Sequence, residues 1–204
     1  MIEMYLTAAP VACFIFVVTL GLSLLAFSNE SVYGRFLLHP YSVSRNERVY
    51  TLISSGFIHR DWGHLFFNMW SYFIFAFKLE VYLGHWQFGF LYMVSMILSD
   101  LPTVFKEKDN YGYHSLGASG AISAVVFSFI LFEPTSKLGI FPFPFGISSW
   151  IFGILYLAYC WYASKNARDS INHDAHFFGA IAGVILTIVL NHNVIPHFVR
   201  ELTM

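Results

Sequence analysis

From Met4 to Asn29 the chain runs without a charged side chain, and a segment of that length has few places to go. A bilayer core about 30 Å thick is crossed by roughly 20 apolar residues in a helix, so the stretch reads as a membrane span. It is too long for a signal-peptide core and lacks both a basic leader region and a clear cleavage site, so we expect it to persist as a span. The remainder is of the same kind. With 57% hydrophobic residues, 11% charged, 23 Phe and a mean hydropathy of +0.60, the chain carries more apolar surface than a soluble domain of 204 residues could bury. A net charge of -1 without a basic tract excludes nucleic-acid binding, which needs clustered Lys and Arg. Cys13 and Cys160 both lie in apolar segments and are expected as two buried thiols without a disulfide.

Six segments are long and apolar enough to span, or nearly so: residues of about 6–27, 62–82, 86–104, 117–132, 147–164 and 174–191. No Gly/Ser linker, repeat or low-complexity tract marks a second unit, so residues 1–204 are expected as one all-α, polytopic six-helix membrane domain. The connection from Phe27 to Trp62 is long for a bare loop and should be a structured interfacial excursion. Pro142 and Pro144, with Gly139 and Gly146, should break the chain before the fifth span. The fourth span is short. From Gly117 to Phe132 a helix covers only about 24 Å, so an end that reaches the far interface leaves Ser119 below the near surface, on the floor of a cavity.

Six crossings put the first, third and fifth connections on one side, and the polar residues of interest adjoin those connections. His59, His64 and Asn68 follow the first, Ser119 the third, and His173 and His176 the fifth. Eight Lys and Arg lie on that side (Arg35, Arg45, Arg48, Arg60, Lys106, Lys108, Lys165, Arg168) against three on the other (Lys78, Lys137, Arg200). The positive-inside rule therefore turns the polar face toward the cytoplasm.

Acyl-bond hydrolysis by a Ser needs a base within hydrogen-bond reach and donors aimed at the oxyanion. Ser119, opening a helix, has a free backbone N–H to offer, and Gly117 and Gly120 allow close backbone approach. His176 is the base candidate. His64 and Asn68, at i and i+4 in His-Leu-Phe-Phe-Asn, project from one helical face as two side-chain donors. No third acid is evident: Asp174 is spaced to point away from His176, and Asp169 lies in a loop. The expectation is a Ser-His dyad needing no metal or organic cofactor.

The strings SSGFIHRDWGHLFFNM, GASGAISA and AHFFGAIAGVI, in this order on spans 2, 4 and 6, resemble those of the rhomboid family of intramembrane serine proteases. The resemblance runs in outline from Tyr50 to Leu186. It implies a six-helix fold in which Ser119 is the nucleophile, His176 the general base, and His64 and Asn68 line the oxyanion hole with the Ser119 N–H. It places His59 as a further histidine near the cavity and Glu80 as a structural acid at the end of span 2. Gly179 and Gly183 would let span 6 press on span 4. The implied substrates are single-span or other transmembrane proteins, cut in or beside the membrane, and the expected setting is the plasma membrane of a bacterium. The family's topology is opposite to the orientation given by the charge count. Two positions depart from the family pattern. Tyr50 and Thr51 stand where Trp-Arg is common, so the first connection is expected to be anchored differently. Ser123 stands four residues after the nucleophile in place of an aromatic, leaving His176 to be held less rigidly or by another ring such as Phe127 or Phe177.

Other readings compete. Ser119 with Ser123, and Gly120 with Ala124, also fit small-xxx-small helix packing, and His176, His64 and Asn68 taken singly read as structural hydrogen-bonding groups. Three motifs on one membrane face favour chemistry. The soluble elbow Gly-x-Ser-x-Gly is excluded, because Ala121 replaces its last Gly and no strand precedes it. A metal site from His59, His64, His173 and His176 with Asp61 lacks a His-Glu-x-x-His motif and carboxylate ligands. A transporter would spread polar residues along a whole path. The alternative within the same resemblance is a catalytically silent rhomboid-like protein that binds membrane clients without cutting them.

Overall fold

The structure, a computed structural model, describes residues 6–139 and 146–204. Pro142 and Pro144 lie outside the described residues. Helix α1 (Pro10–Ser28) is the first expected span. The long connection after it is structured as expected, folding into α2 (Glu30–Phe36), α3 (Pro40–Val43), α4 (Thr51–Ser54) and a 3-10 turn over Ser55–Phe57. Then come α5 (Trp62–Leu83), α6 (His85–Glu107) and the short α7 (Ser119–Phe132). A two-stranded antiparallel hairpin, β1 (Lys137–Gly139) with β2 (Gly146–Ser148), was not foreseen; it pairs Gly139 with Gly146. Helices α8 (Ser149–Asn166), α9 (His173–Leu190) and α10 (Val194–Thr203) complete the described chain. By length and composition, α1, α6 and α9 are each able to cross a membrane, and α5, α7 and α8 coincide with the remaining expected spans. Trp62, Trp70, Trp86 and Trp161 are exposed on the outer surface, where interfacial or lipid-facing rings belong.

Helix α1 begins at Pro10 after Ala9, which has no side chain to cap it. The cap arrives from α5. Buried Glu80 accepts hydrogen bonds from the Val11 N–H (3.1 Å) and the Ala12 N–H (2.6 Å), and its Oε1 lies 2.6 Å from His85 Nδ1. A carboxylate at a helix N-terminus satisfies orphan donors and complements the helix dipole, so Glu80 staples α1 to α5 and has the structural part expected of it. Cys13 of α1, expected buried, is half-exposed, whereas Cys160 is buried; Cys13 lies beside Phe14 and Val17 on the exposed side of α1.

Most of α7 is buried, which makes it the axis of the bundle. Helix α9 lies closest to it, for a reason visible in two glycines: a Cβ on Gly179 would overlap the Gly120 carbonyl, and one on Gly183 would overlap the backbone of Ala124. Farther along the same seam the hydroxyls of Thr187 and Ser128 meet at 2.6 Å.

The first, third and fifth connections gather at one end, as six crossings require. Leu38 and Ser115 form a β-bridge between the first and third, Arg60 donates to Ser170 Oγ across to the fifth, and Lys106 pairs with Asp174 at 2.8 Å. The first connection is indeed anchored without Trp-Arg. Arg48 reaches back to the carbonyls of Gly34 (2.6 Å) and Arg35 (3.0 Å), and Tyr50 donates to the latter at 3.1 Å, so cationic and phenolic donors satisfy the last carbonyls of α2.

Candidate active site

Beneath these connections lies a cavity of about 910 Å³ whose walls include His64, Asn68, Gly117, Ser119, Gly120 and His176. An apolar branch of about 250 Å³ continues from Asn68, Ser119 and His176 between Phe67 and Phe75 of α5 and Phe152 and Tyr156 of α8. The structure thus brings together Ser119, His176, His64 and Asn68, drawn from three different helices. His59, Gly179 and Gly183 stand behind the wall.

Ser119 is the first residue of α7. The N–H groups of Ser119, Gly120 and Ala121 have no carbonyl partner within the helix, because the first turn of any helix leaves its donors free. Gly117 precedes them with a φ of +115°, a left-handed conformation that favours glycine. A Cβ there would strike the His64 ring, so the glycine also makes room for that imidazole. The Gly117 N–H is held by the Ser55 carbonyl at 2.9 Å.

His64 and Asn68 descend one face of α5, whose N-terminus is capped by Asp61 accepting from the His64 N–H at 2.8 Å. That N–H and the Arg60 side chain hold the exposed Asp61 carboxyl below the usual carboxylate range. Asn68 spends one amide hydrogen on the His64 carbonyl (2.9 Å) and has a second to offer.

His59 is fully buried behind His64, ring edge to ring face at 4.9 Å. Ser23 of α1 donates to the Phe57 carbonyl at 3.1 Å, so His59 Nδ1–H donates to Ser23 Oγ at 2.9 Å. His59 Nε2 is buried and, among the described residues, has no hydrogen-bond partner. Burial, reinforced by His64, pushes this imidazole down to about 3. It therefore supports His64 and does not face the cavity.

His176 is not hydrogen-bonded to Ser119 among the described residues, although both line one cavity; such pairs often close only when substrate fills the site. Nor does a carboxylate bond to it there. Asp174 is taken by Lys106, and Asp169 accepts from His173 Nε2 at 3.2 Å and from the Ile171 N–H at 2.9 Å. The aromatic support of His176 comes from neither Phe127 nor Phe177. Tyr156 of α8 stacks on it, with centroids 6.4 Å apart and planes at 22°, and shares a 3.0 Å hydrogen bond with Ser123. Phe127 packs behind Tyr156, and Phe177 against Phe178. The small side chain at position 123 leaves space for a ring from α8, a substitution across helices that no local pattern signals. Asp100 of α6 also lines the cavity and was not singled out by the sequence. The four-histidine metal site does not assemble among the described residues. The group that does come within ligand distance is Cys160, His173 and His176.

A helical membrane bundle with a half-buried serine at a helix entrance, sharing a polar cavity with a histidine, has a counterpart among known families. A Rhomboid domain matches residues 46–193, and the chain belongs to the rhomboid family. It is 33% identical over 141 residues to "Rhomboid protein 1, mitochondrial" of Saccharomyces cerevisiae, a match covering 66% of this chain and 40% of the yeast protein. It is 30% identical over 146 residues to "Putative rhomboid protease YdcA" of Bacillus subtilis, covering 71% of this chain and 68% of that one. The chain thus spans well under half of the yeast relative. One relative is named mitochondrial and the other is bacterial, so kinship places the protein in a membrane without choosing between those compartments.

Proposed function

We propose that the protein is a rhomboid-type serine protease that hydrolyses a peptide bond in or beside the transmembrane segment of another membrane protein. The observation that carries this reading is the convergence of Ser119, His176, His64 and Asn68 on one cavity, with Ser119 half-buried at the start of a buried helix. Ser119 Oγ attacks the scissile carbonyl while His176 takes its proton. The oxyanion forms within reach of His64, Asn68 and the Ser119 N–H, donors fixed before the reaction begins. His176 then gives the proton to the departing amine, and in the second step it activates the water that releases the acyl group. The polar mouth supplies that water. The apolar branch between α5 and α8 suits a membrane segment unwound locally near the cut, which favours small or helix-breaking residues there.

The test uses the full chain in detergent or liposomes with a fluorophosphonate probe and a single-span substrate. Wild type should label and cleave, with both lost in Ser119→Ala, and cleavage lost in His176→Ala. Absence of both activities in wild type leaves the client-binding rhomboid-like reading, and full cleavage by Ser119→Ala overturns the assignment of the nucleophile.

A further inference from the structure

Three ligand-bearing side chains, one of them His176, meet between α8 and α9. One ligand atom each from Cys160 of α8 and from His173 and His176 of α9 lie within 4.8 Å of one another. Cys160 is 0% and His173 5% exposed. His173 donates Nε2–H to the Asp169 carboxylate at 3.2 Å, which fixes its tautomer and leaves Nδ1 as a bare lone pair. That Nδ1 is buried and, among the described residues, has no hydrogen-bond partner. A carboxylate holding the far nitrogen of an imidazole, with the near nitrogen free, is the arrangement that orients metal-binding histidines. We propose that Cys160, His173 and His176 form a binding site for a zinc-type divalent cation, and that occupancy silences the protease.

The donor set selects the ion. One thiolate and two imidazoles suit zinc and its borderline neighbours, whereas calcium and magnesium demand oxygen. Ligand pairs on tetrahedral zinc sit about 3.5 Å apart, so closing around the ion asks for side-chain shifts of about 1 Å. Cys160 loses its thiol proton to solvent as the metal–sulfur bond forms. The thiolate and the Asp169 carboxylate together balance the two charges of the ion, which matters in a low-dielectric setting. Entry is open through His176, which with Asp169 and Asn172 lines the polar cavity.

Silencing follows from either nitrogen of His176. If the metal takes the nitrogen that serves Ser119, no lone pair is left there for the proton; if it takes the other, the ring's own hydrogen sits on the nitrogen that serves Ser119, which then cannot accept one. This consequence rests on His176 being the base, whereas the binding site itself does not.

The chelator-stripped full-length protein in detergent is titrated with Co²⁺ and watched for thiolate-to-metal charge-transfer absorption. One equivalent should produce the band, Zn²⁺ should displace it, Cys13→Ala should keep it and Cys160→Ala should lose it. Asp169→Asn, on an exposed loop, keeps the fold and should weaken binding by about 10–100-fold. With fluorophosphonate labelling as readout, stoichiometric Zn²⁺ should slow the wild type by about tenfold or more, reversibly on chelation, while Cys160→Ala needs at least about tenfold more Zn²⁺. No thiolate band in wild type, or equal binding by Cys160→Ala, overturns the site. A band without effect on a labelling-competent enzyme overturns the silencing alone. A band in a protein that never labels upholds the site and counts against the protease.

Discussion

His59 shows how a single buried side chain writes a pH dependence into the fold. Its folded pKa is lowered to about 3, so the native state does not take up the proton that the unfolded chain binds below about 6.5. The stability it contributes is complete above that pH and is lost as pH falls from about 6.5 toward 3, at no more than about 1.4 kcal/mol per pH unit. Thermal unfolding in detergent at pH 7 and pH 5 should show a larger loss for wild type than for His59→Gln; parallel losses would contradict the buried neutral imidazole. Tyr156 is the second instructive residue. A stacked aromatic pair is worth about 0.5–1.5 kcal/mol, so Tyr156→Leu should slow fluorophosphonate labelling by up to about tenfold, while Tyr156→Phe, which keeps the ring, stays within about twofold. Equal rates for all three would remove Tyr156 as the support of His176. The sequence exposed the vacancy at Ser123 but not its filling, because the ring comes from another helix at a separation of 33 residues.

At the scale of elements, the seam between α7 and α9 sets where His176 stands relative to Ser119. The spacing of Gly179 and Gly183 was readable as a close-packing stripe, and the structure gives it a partner, the backbone of Gly120 and Ala124. Helix backbone cannot step aside as a side chain can. Gly183→Ala should therefore cost about 1–3 kcal/mol by overpacking, and a displacement of α9 by about 1 Å should reduce labelling by about 100-fold. Ile185→Ala, on the exposed face of the same helix, should change neither. Gly183→Ala with wild-type melting and labelling would mean that α9 does not need this approach. The shortness of α7 was also legible, from Gly117 at one end and Glu133-Pro134 at the other. The capping of α1 by Glu80 was not legible from the residues alone: a lone acid in an apolar run says only that it needs a partner.

For the whole molecule, charge and family resemblance assign opposite orientations. The connections at the cavity end are tied together by Leu38 with Ser115, Arg60 with Ser170 and Lys106 with Asp174, so they share one side of the membrane whichever way it faces. Charge places that side in the cytoplasm, opposite to the topology the resemblance implies. Lys108→Cys in a background with Cys13 and Cys160 replaced by Ala should settle it with an impermeant thiol reagent on intact cells or vesicles. The charge count predicts modification only from the cytoplasmic side, and modification from the opposite side overturns it.

The sequence by itself determined that this chain belongs in a membrane, where its helices run, and which residues converge at one end. Those properties follow from local quantities: apolar length against bilayer thickness, the odd-even count of crossings, and motif spacing along single helices. Only the tertiary structure decided what surrounds the convergence: Tyr156 behind His176, Asp169 holding His173 and not His176, His59 turned away from the cavity, and Cys160 beside both histidines of α9. Tyr156 and Cys160 reach α9 from α8, Ser23 of α1 turns His59, and Asp169 reaches His173 from the loop before α9; such contacts are set by how neighbouring elements pack, and helical periodicity carries no record of which element lies opposite.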